Sequence, residues 1–250
     1  MDTSLLKGVA LVLAAAVLWG TTGTAQSFVS PALSPYWVGS FRLVVAALFF
    51  GVWALLSGRT RGGFGPSGNP AGERAAVTLP MSGLWLAIVG AGSSMTLYNL
   101  AFFAGVRASG VALGTAVALG SAPIWAGLAQ TLESGRLPAG HWWLGVGVAA
   151  CGLALALGGS GGGDAMTVGI GLCLLAGLGY ALYARCTKLL VARPSVVTVT
   201  GVVFGLAASL AVPLAWWIAG APVLAPRDLP VLLWLGVAGT GLAYLLFALG

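Results

Sequence analysis

Val44-Val45-Ala46-Ala47-Leu48-Phe49-Phe50-Gly51-Val52-Trp53-Ala54-Leu55-Leu56 contains no charged, amide or hydroxyl side chain. A membrane-spanning β-strand alternates apolar and polar positions over ~10 residues. An unbroken apolar run reads instead as a helix crossing ~30 Å of hydrocarbon, which takes ~20 residues. Working outward from this run, eight stretches qualify: residues 5–28, 36–57, 82–105, 109–131, 142–158, 168–187, 197–219 and 229–250. The predicted fold class is an all-α integral membrane protein, a multi-helix bundle.

Composition agrees. The 250 residues are 59% hydrophobic and 6% charged, with mean hydropathy +1.01. Soluble domains carry about 25% charged residues, so this chain cannot cover a water-facing surface. Forty glycines and twelve prolines do not make it disordered, because disorder goes with low hydrophobicity and high charge. No Gly-X-Y period supports collagen.

Breakers separate the spans: Ser30-Pro31 and Ser34-Pro35, the Gly58–Gly72 loop, Leu137-Pro138, and Pro222 with Pro226. The glycine run 158–163 reads as a flexible linker between two halves. With the N-terminus inside, Lys7, Arg59, Arg61, Arg74, Arg136, Arg185, Lys188 and Arg193 fall at cytoplasmic ends, against Arg107 and Arg227 outside. The positive-inside rule therefore predicts a cytoplasmic N-terminus. The net charge of +6 is spread over several loops and marks topology, with no nucleic-acid partner implied. Lys7 and Val9–Val17 resemble a signal peptide, but the apolar run continues to Phe28, longer than a cleaved leader needs. Cys151, Cys173 and Cys186 are odd in number, far apart and inside spans, so neither a disulfide framework nor a metal site is expected.

Span six matches span one weakly: Ala16–Gly20 aligns with Ala176–Tyr180, and the Ser34-Pro35 corner with Pro194-Ser195. Leu84-Trp85 and Tyr98–Leu100 of span three find counterparts in Leu233-Trp234 and Tyr244–Leu246 of span eight. A five-span unit forces its second copy to enter the membrane inverted, the signature of secondary transporters with a site near the midplane. The expected repeats are residues 1–159, with five spans, and 160–250, with three, two more being expected beyond Gly250.

Leu18-Trp-Gly-Thr-Thr-Gly-Thr24, Arg42 within Ser40-Phe-Arg-Leu-Val44, and Pro123, Glu133, Gly145 and Gly152 in order carry a family resemblance. The chain resembles the EamA branch of the drug/metabolite transporter superfamily. That resemblance implies ten helices in two inverted repeats, a multi-pass protein of the bacterial inner membrane, both termini cytoplasmic, and a central cavity. It further implies export of small metabolites, with aromatic amino acid and threonine/homoserine exporters the first members to compare. The second Pro…Glu…Gly…Gly segment is missing from the chain.

No carboxylate is expected mid-membrane, since Glu133, Asp164 and Asp228 sit at span ends. A buried acid is the usual device for coupling protons to cationic drugs, so drug-cation antiport is disfavoured. The resemblance sharpens this: small multidrug transporters of the superfamily carry a glutamate in span one, where this chain has Trp19, Thr22 and Gln26. His141, at a span end, reads as interfacial. Arg42 lies about 10 Å into span two at 1.5 Å per residue. Snorkelling to the outer interface would make it structural; the alternative is an outer gate or a carboxylate contact.

The candidate substrate site is polar, aromatic and uncharged. Trp19, Thr22 and Gln26 share a face of span one at i, i+3 and i+7. Ser94 and Tyr98 line span three with Asn99 adjacent, Tyr180 and Tyr183 share a face of span six, Tyr244 follows Thr240 in span eight, and Trp125 follows Pro123. Such groups need partners or a wet cavity within a membrane. Trp85, Trp142, Trp143, Trp216, Trp217 and Trp234 near span ends read as the aromatic belt. Gly110-x-x-x-Gly114, Gly201-x-x-x-Gly205 and Gly145-x-x-x-Ala149 read as close-packing motifs.

No Ser/His/Asp set, HExxH, phosphate loop or paired carboxylate supports an enzyme, and no filter or charged ring supports a channel. No cofactor is expected. The reading is a secondary carrier, mainly an exporter of a small zwitterionic or neutral metabolite such as an amino acid. Its partners are that small molecule and the lipid bilayer; a monomer is compatible with the sequence.

Overall fold

Long apolar runs leave the backbone no hydrogen-bond partner in hydrocarbon except itself, so each closes into a helix. A computed structural model describes residues 3–56, 81–135, 140–158, 163–190 and 196–249, and every element named below lies within them. The helices are α1 (Thr3–Ser27), α2 (Pro35–Leu56), α3 (Met81–Ser109), α4 (Val111–Ser134), α5 (Gly140–Gly158), α6 (Asp164–Lys188) and α7 (Val196–Ala219). The eighth, α8, begins as Asp228–Leu233, runs as a π-helix over Trp234–Leu242 and ends as Ala243–Leu249. Among the described residues there is no strand. Seven helices are long and apolar enough to cross a membrane by length and composition. The remaining helix, α5, has 19 residues. The loop 58–72, Leu137-Pro138, the corner Pro194-Ser195 and most of the 158–163 linker lie outside the described residues.

Helix ends follow local chemistry. Pro35 opens α2, where its missing N–H costs no hydrogen bond. Gly135 closes α4 at φ 63°, its N–H returning to the Thr131 carbonyl 2.9 Å away. That left-handed geometry is cheap only for glycine.

The bundle is organised around α3, with 72% of its most apolar window buried, against 17% for α1. Its principal partner is α6. A small-residue stripe allows the approach: Gly169, Cys173, Ala176 and Gly177 are buried along one face of α6. A Cβ on Gly169 would meet the Ser109 backbone nitrogen at 2.7 Å, and one on Gly179 the Tyr98 nitrogen at 2.8 Å. In a membrane, where helices gain little from leaving lipid, this close van der Waals fit is the main source of association. The four-residue glycine motifs expected from sequence are not where the tightest contacts fall. Gly205 and Gly145 have open space beside them, and only Gly114 and Gly201 meet neighbours. Spacing alone reports a small-residue face without saying whether lipid or protein covers it. Cys173 fills a gap against Gly105, and all three cysteines are free.

The packing has a pattern. α3 packs on α6 and on α7, while α8 packs on α1 and on α2, and α2 packs on α7. Exchanging α1, α2 and α3 for α6, α7 and α8 maps this set of contacts onto itself.

Both ends of the bundle are tied. At one, Asp228 is fully buried and accepts the Ser30 N–H at 2.7 Å and the Ala225 N–H at 2.8 Å. Arg107 donates to the Pro31 and Leu33 carbonyls, and the Trp37 indole to the Gly220 carbonyl at 2.9 Å. At the other end Arg185 pairs with Glu133, both about half exposed. Exposed ion pairs contribute little, so Glu133→Gln is expected to change stability by less than about 0.5 kcal/mol, read as the thermal midpoint of the purified protein. A loss several times larger would show that this pair clamps α4 to α6.

Candidate functional site

α1, α3, α6 and α8 bring aromatic side chains together in the interior. From α3, Phe102 and Tyr98 lie 5.6 Å apart, and Tyr98 is 5.5 Å from Tyr180 of α6. Tyr180 is 6.3 Å from Tyr183, which meets Tyr244 of α8 edge-on at 6.0 Å. Tyr244 in turn meets Trp19 of α1 edge-on at 5.2 Å and Phe204 of α7 at 5.0 Å. These spacings are those of favourable ring pairs. One continuous aromatic path therefore joins five of the sequence-predicted residues: Trp19, Tyr98, Tyr180, Tyr183 and Tyr244.

Beside this path, toward the Asp228 end, lies a polar cluster. Gln26 Nε2 donates to the Phe103 carbonyl at 2.7 Å, tying α1 to α3. Asn99, one turn before Phe103, donates to the Met95 carbonyl at 3.0 Å. Thr22, one turn from Gln26, faces Gly239 of α8. Each of these three side chains is buried, yet Gln26 Oε1, Asn99 Oδ1 and Thr22 Oγ1 have no hydrogen-bond partner. The Trp19 indole N–H, Thr115 Oγ1 and Arg42 Nη1 are likewise unpaired. Buried polar atoms nearly always find partners, and an unpaired one costs ~1–3 kcal/mol. Six such atoms, donors and acceptors together, stand unpaired among the described residues of this interior.

Arg42 does not snorkel. It is 2% exposed, so the expectation that its head reaches the interface is corrected. Its Nε donates to Thr240 Oγ1, its Nη2 to the Gly239 carbonyl at 3.2 Å, and its Cζ sits 5.5 Å from the Phe103 ring centroid. The π-helical turn makes this possible. Thr240 Oγ1 donates to the Leu235 carbonyl five residues back at 2.8 Å, which fixes the hydroxyl where Arg42 reaches it. Gly236 and Gly241 let α2 approach that turn against Val45 and Phe49. Single π segments recur at functional sites.

Two predicted residues stand apart. The Trp125 indole donates to the Leu174 carbonyl at 3.0 Å at the α4–α6 contact, away from the aromatic path. Ser94 is buried where α3 passes Gly179, and its backbone carbonyl faces that glycine. Thr115, Phe103 and Gly239 were not picked out from sequence. Thr115 is one small residue among many, Gly239 acts through its carbonyl, which leaves no signal in side-chain type, and Phe103 offers a carbonyl to Gln26 and a ring to Arg42 that only the packing brings there. The flanks differ from this interior. A groove of about 530 Å³ between α1 and α8, lined by Phe28, Pro230, Trp234 and neighbours, is almost wholly apolar and opens sideways. No cluster able to hold a metal ion exists among the described residues.

Membrane-length helices converging on a buried polar and aromatic centre define a multi-pass membrane protein. Residues 6–158 match the model of the EamA-like transporter family. The chain belongs to that family, and is a membrane transporter rather than an enzyme. It is 30% identical over 241 residues to the Uncharacterized transporter YwfM of Bacillus subtilis (strain 168), covering 96% of this chain and 75% of that protein. A crystal structure of a protein 17% identical matches 97% of this chain and 78% of its own, with a TM-score of 0.64, which speaks to the fold alone.

Proposed function

We propose that the chain is a secondary carrier working mainly as an exporter of small zwitterionic or neutral metabolites, amino acids first among them. The observation that carries this reading is the set of unpaired buried donors and acceptors beside the aromatic path. A guest with a polar head and an apolar body satisfies both. Trp19, Tyr98, Tyr180, Tyr183 and Tyr244 offer ring faces and edges to the body, while Gln26, Asn99 and Thr22 bond the head. No mid-helix carboxylate stands among the described residues, which supports transport driven by the substrate gradient.

Alternating access is supported by the contact pattern that survives exchanging α1–α3 for α6–α8. In this reading residues 1–159 and 160–250 are inverted repeats that rock about the shared site. The distribution of basic residues supports a cytoplasmic N-terminus, with the Asp228 end outside, and in this reading the membrane is a bacterial inner membrane.

Tyr98→Ala and Gln26→Ala test the assignment in proteoliposomes loaded with labelled phenylalanine, tryptophan or threonine. Each is expected to lower saturable flux by about tenfold or more, while Trp125→Phe, off the path, leaves it within about twofold of the parent. Unchanged flux in folded Tyr98→Ala and Gln26→Ala protein would remove both residues from the site.

A further inference from the structure

The guanidinium of Arg42 is a permanent cation at 2% exposure, and among the described residues no carboxylate pairs with it. The acids among the described residues are committed elsewhere. Glu133 pairs with Arg185, Asp228 accepts two backbone N–H groups, and Asp164 is exposed at the start of α6. A buried cation without an anion is among the costliest arrangements a membrane interior can hold.

The side chain is also held in one orientation. Nε and Nη2 form one edge of the guanidinium, and that edge is taken by Thr240 Oγ1 and the Gly239 carbonyl. Phe103 lies against the guanidinium carbon. What remains is the opposite edge, with both protons of Nη1 unused and a second proton on Nη2. Two parallel N–H groups at that spacing are the geometry that receives a carboxylate in bidentate fashion. Tyr98 shares a side-chain hydrogen-bonding interaction with Arg42, and Tyr244 lies near enough to sense its charge, so the guanidinium stands beside the aromatic path.

We propose that Arg42 is the carboxylate-binding residue of the carrier, narrowing its substrates to organic acids and amino acids whose acid group docks on the free Nη1/Nη2 edge. This rests on the transport reading above. The unpaired acceptors Gln26 Oε1 and Asn99 Oδ1 then take the ammonium of a zwitterion, so the head group enters with one polarity. Thr240 acts as a positioning residue, holding the guanidinium edge-on.

The test uses purified full chain and ligand pairs that differ only in charge: phenylacetate with phenylacetamide, and butyrate with butyramide, read by calorimetric titration. Inorganic phosphate serves as the control for unspecific anion binding. In wild-type protein at least one carboxylate is expected to bind about thirtyfold more tightly than its amide, the scale of charge-assisted hydrogen bonds. Arg42→Gln brings that ratio to about one, and Arg42→Lys keeps part of it, a point charge replacing a fork.

An amide bound as tightly as its acid overturns the proposal, as does a ratio that survives Arg42→Gln, phosphate bound in preference to both acids, or no binding by either pair. The wild-type ratio stands without any variant, so a misfolded Arg42→Gln leaves the test intact. Flux separates the two layers. Phenylalanine flux unchanged in folded Arg42→Gln protein discards the role of Arg42 and keeps the carrier. Carboxylate binding that needs Arg42, with no amino acid transported, keeps the anion site and discards amino acids as cargo.

Discussion

Replacing Gly179 by valine is expected to cost about 3 kcal/mol of stability, toward the upper end of overpacking losses. The new Cβ alone would stand 2.8 Å from the Tyr98 backbone nitrogen and 3.1 Å from the Ser94 carbonyl oxygen. Both obstacles are backbone, so no rotamer change relieves them; α3 and α6 have to separate. That interface is the most extensive in the bundle, and it positions Tyr98 against Tyr180. Gly20→Ala is the matched control, because nothing lies within 4 Å of a Cβ there. The comparison is read from thermal or denaturant midpoints in detergent, together with the yield of monodisperse protein. Equal midpoints for Gly179→Val and the parent would mean that α3 and α6 are not packed as described.

The second large effect concerns Thr240. Thr240→Val keeps the shape of the side chain and removes the acceptor for Arg42 Nε, together with the hydrogen bond to Leu235. Breaking one partner of a buried charge is expensive, and a loss of about 2 kcal/mol is expected. Arg42→Met removes the charge itself. Replacing buried ionic groups by apolar ones of similar volume is often neutral, so this variant is expected to be close to the parent in stability while losing transport. The double variant Arg42→Met/Thr240→Val then falls well short of the sum of the two, since no charge remains to be left unpaired. Full additivity in that double-mutant cycle would show that Arg42 and Thr240 do not act as one unit.

Much of the fold is legible in the chain because hydrocarbon allows the backbone so few solutions. Each apolar run became a helix, with limits within about four residues of those expected. The faces were legible too where polar residues recur at helical spacing. Trp19, Thr22 and Gln26 do point into one interior, and Tyr180 and Tyr183 do lie along one path.

What the sequence hides is which helix meets which. Arg42 at about 10 Å depth was compatible with snorkelling; what keeps it inside is Thr240, 198 residues away in the chain. The π-helical turn that presents Thr240 has no sequence rule of its own, only the glycines Gly236, Gly239 and Gly241 that permit it. The packing glycines were misjudged for a related reason. Gly145 and Gly205 have the right spacing but open space beside them, whereas Gly169 and Gly179, without that spacing, come closest to a neighbouring helix's backbone. Trp125 had the residue type of a pocket residue, and its indole is engaged by the Leu174 carbonyl at the helix boundary instead.

Counter-exchange of labelled phenylalanine in proteoliposomes of the full chain tests the carrier reading most directly. Saturable uptake is expected that is accelerated by unlabelled phenylalanine inside the vesicle, needs no pH gradient, and falls at least tenfold in Arg42→Gln. Non-saturable uptake indifferent to internal substrate, from vesicles shown to hold folded protein, would contradict it.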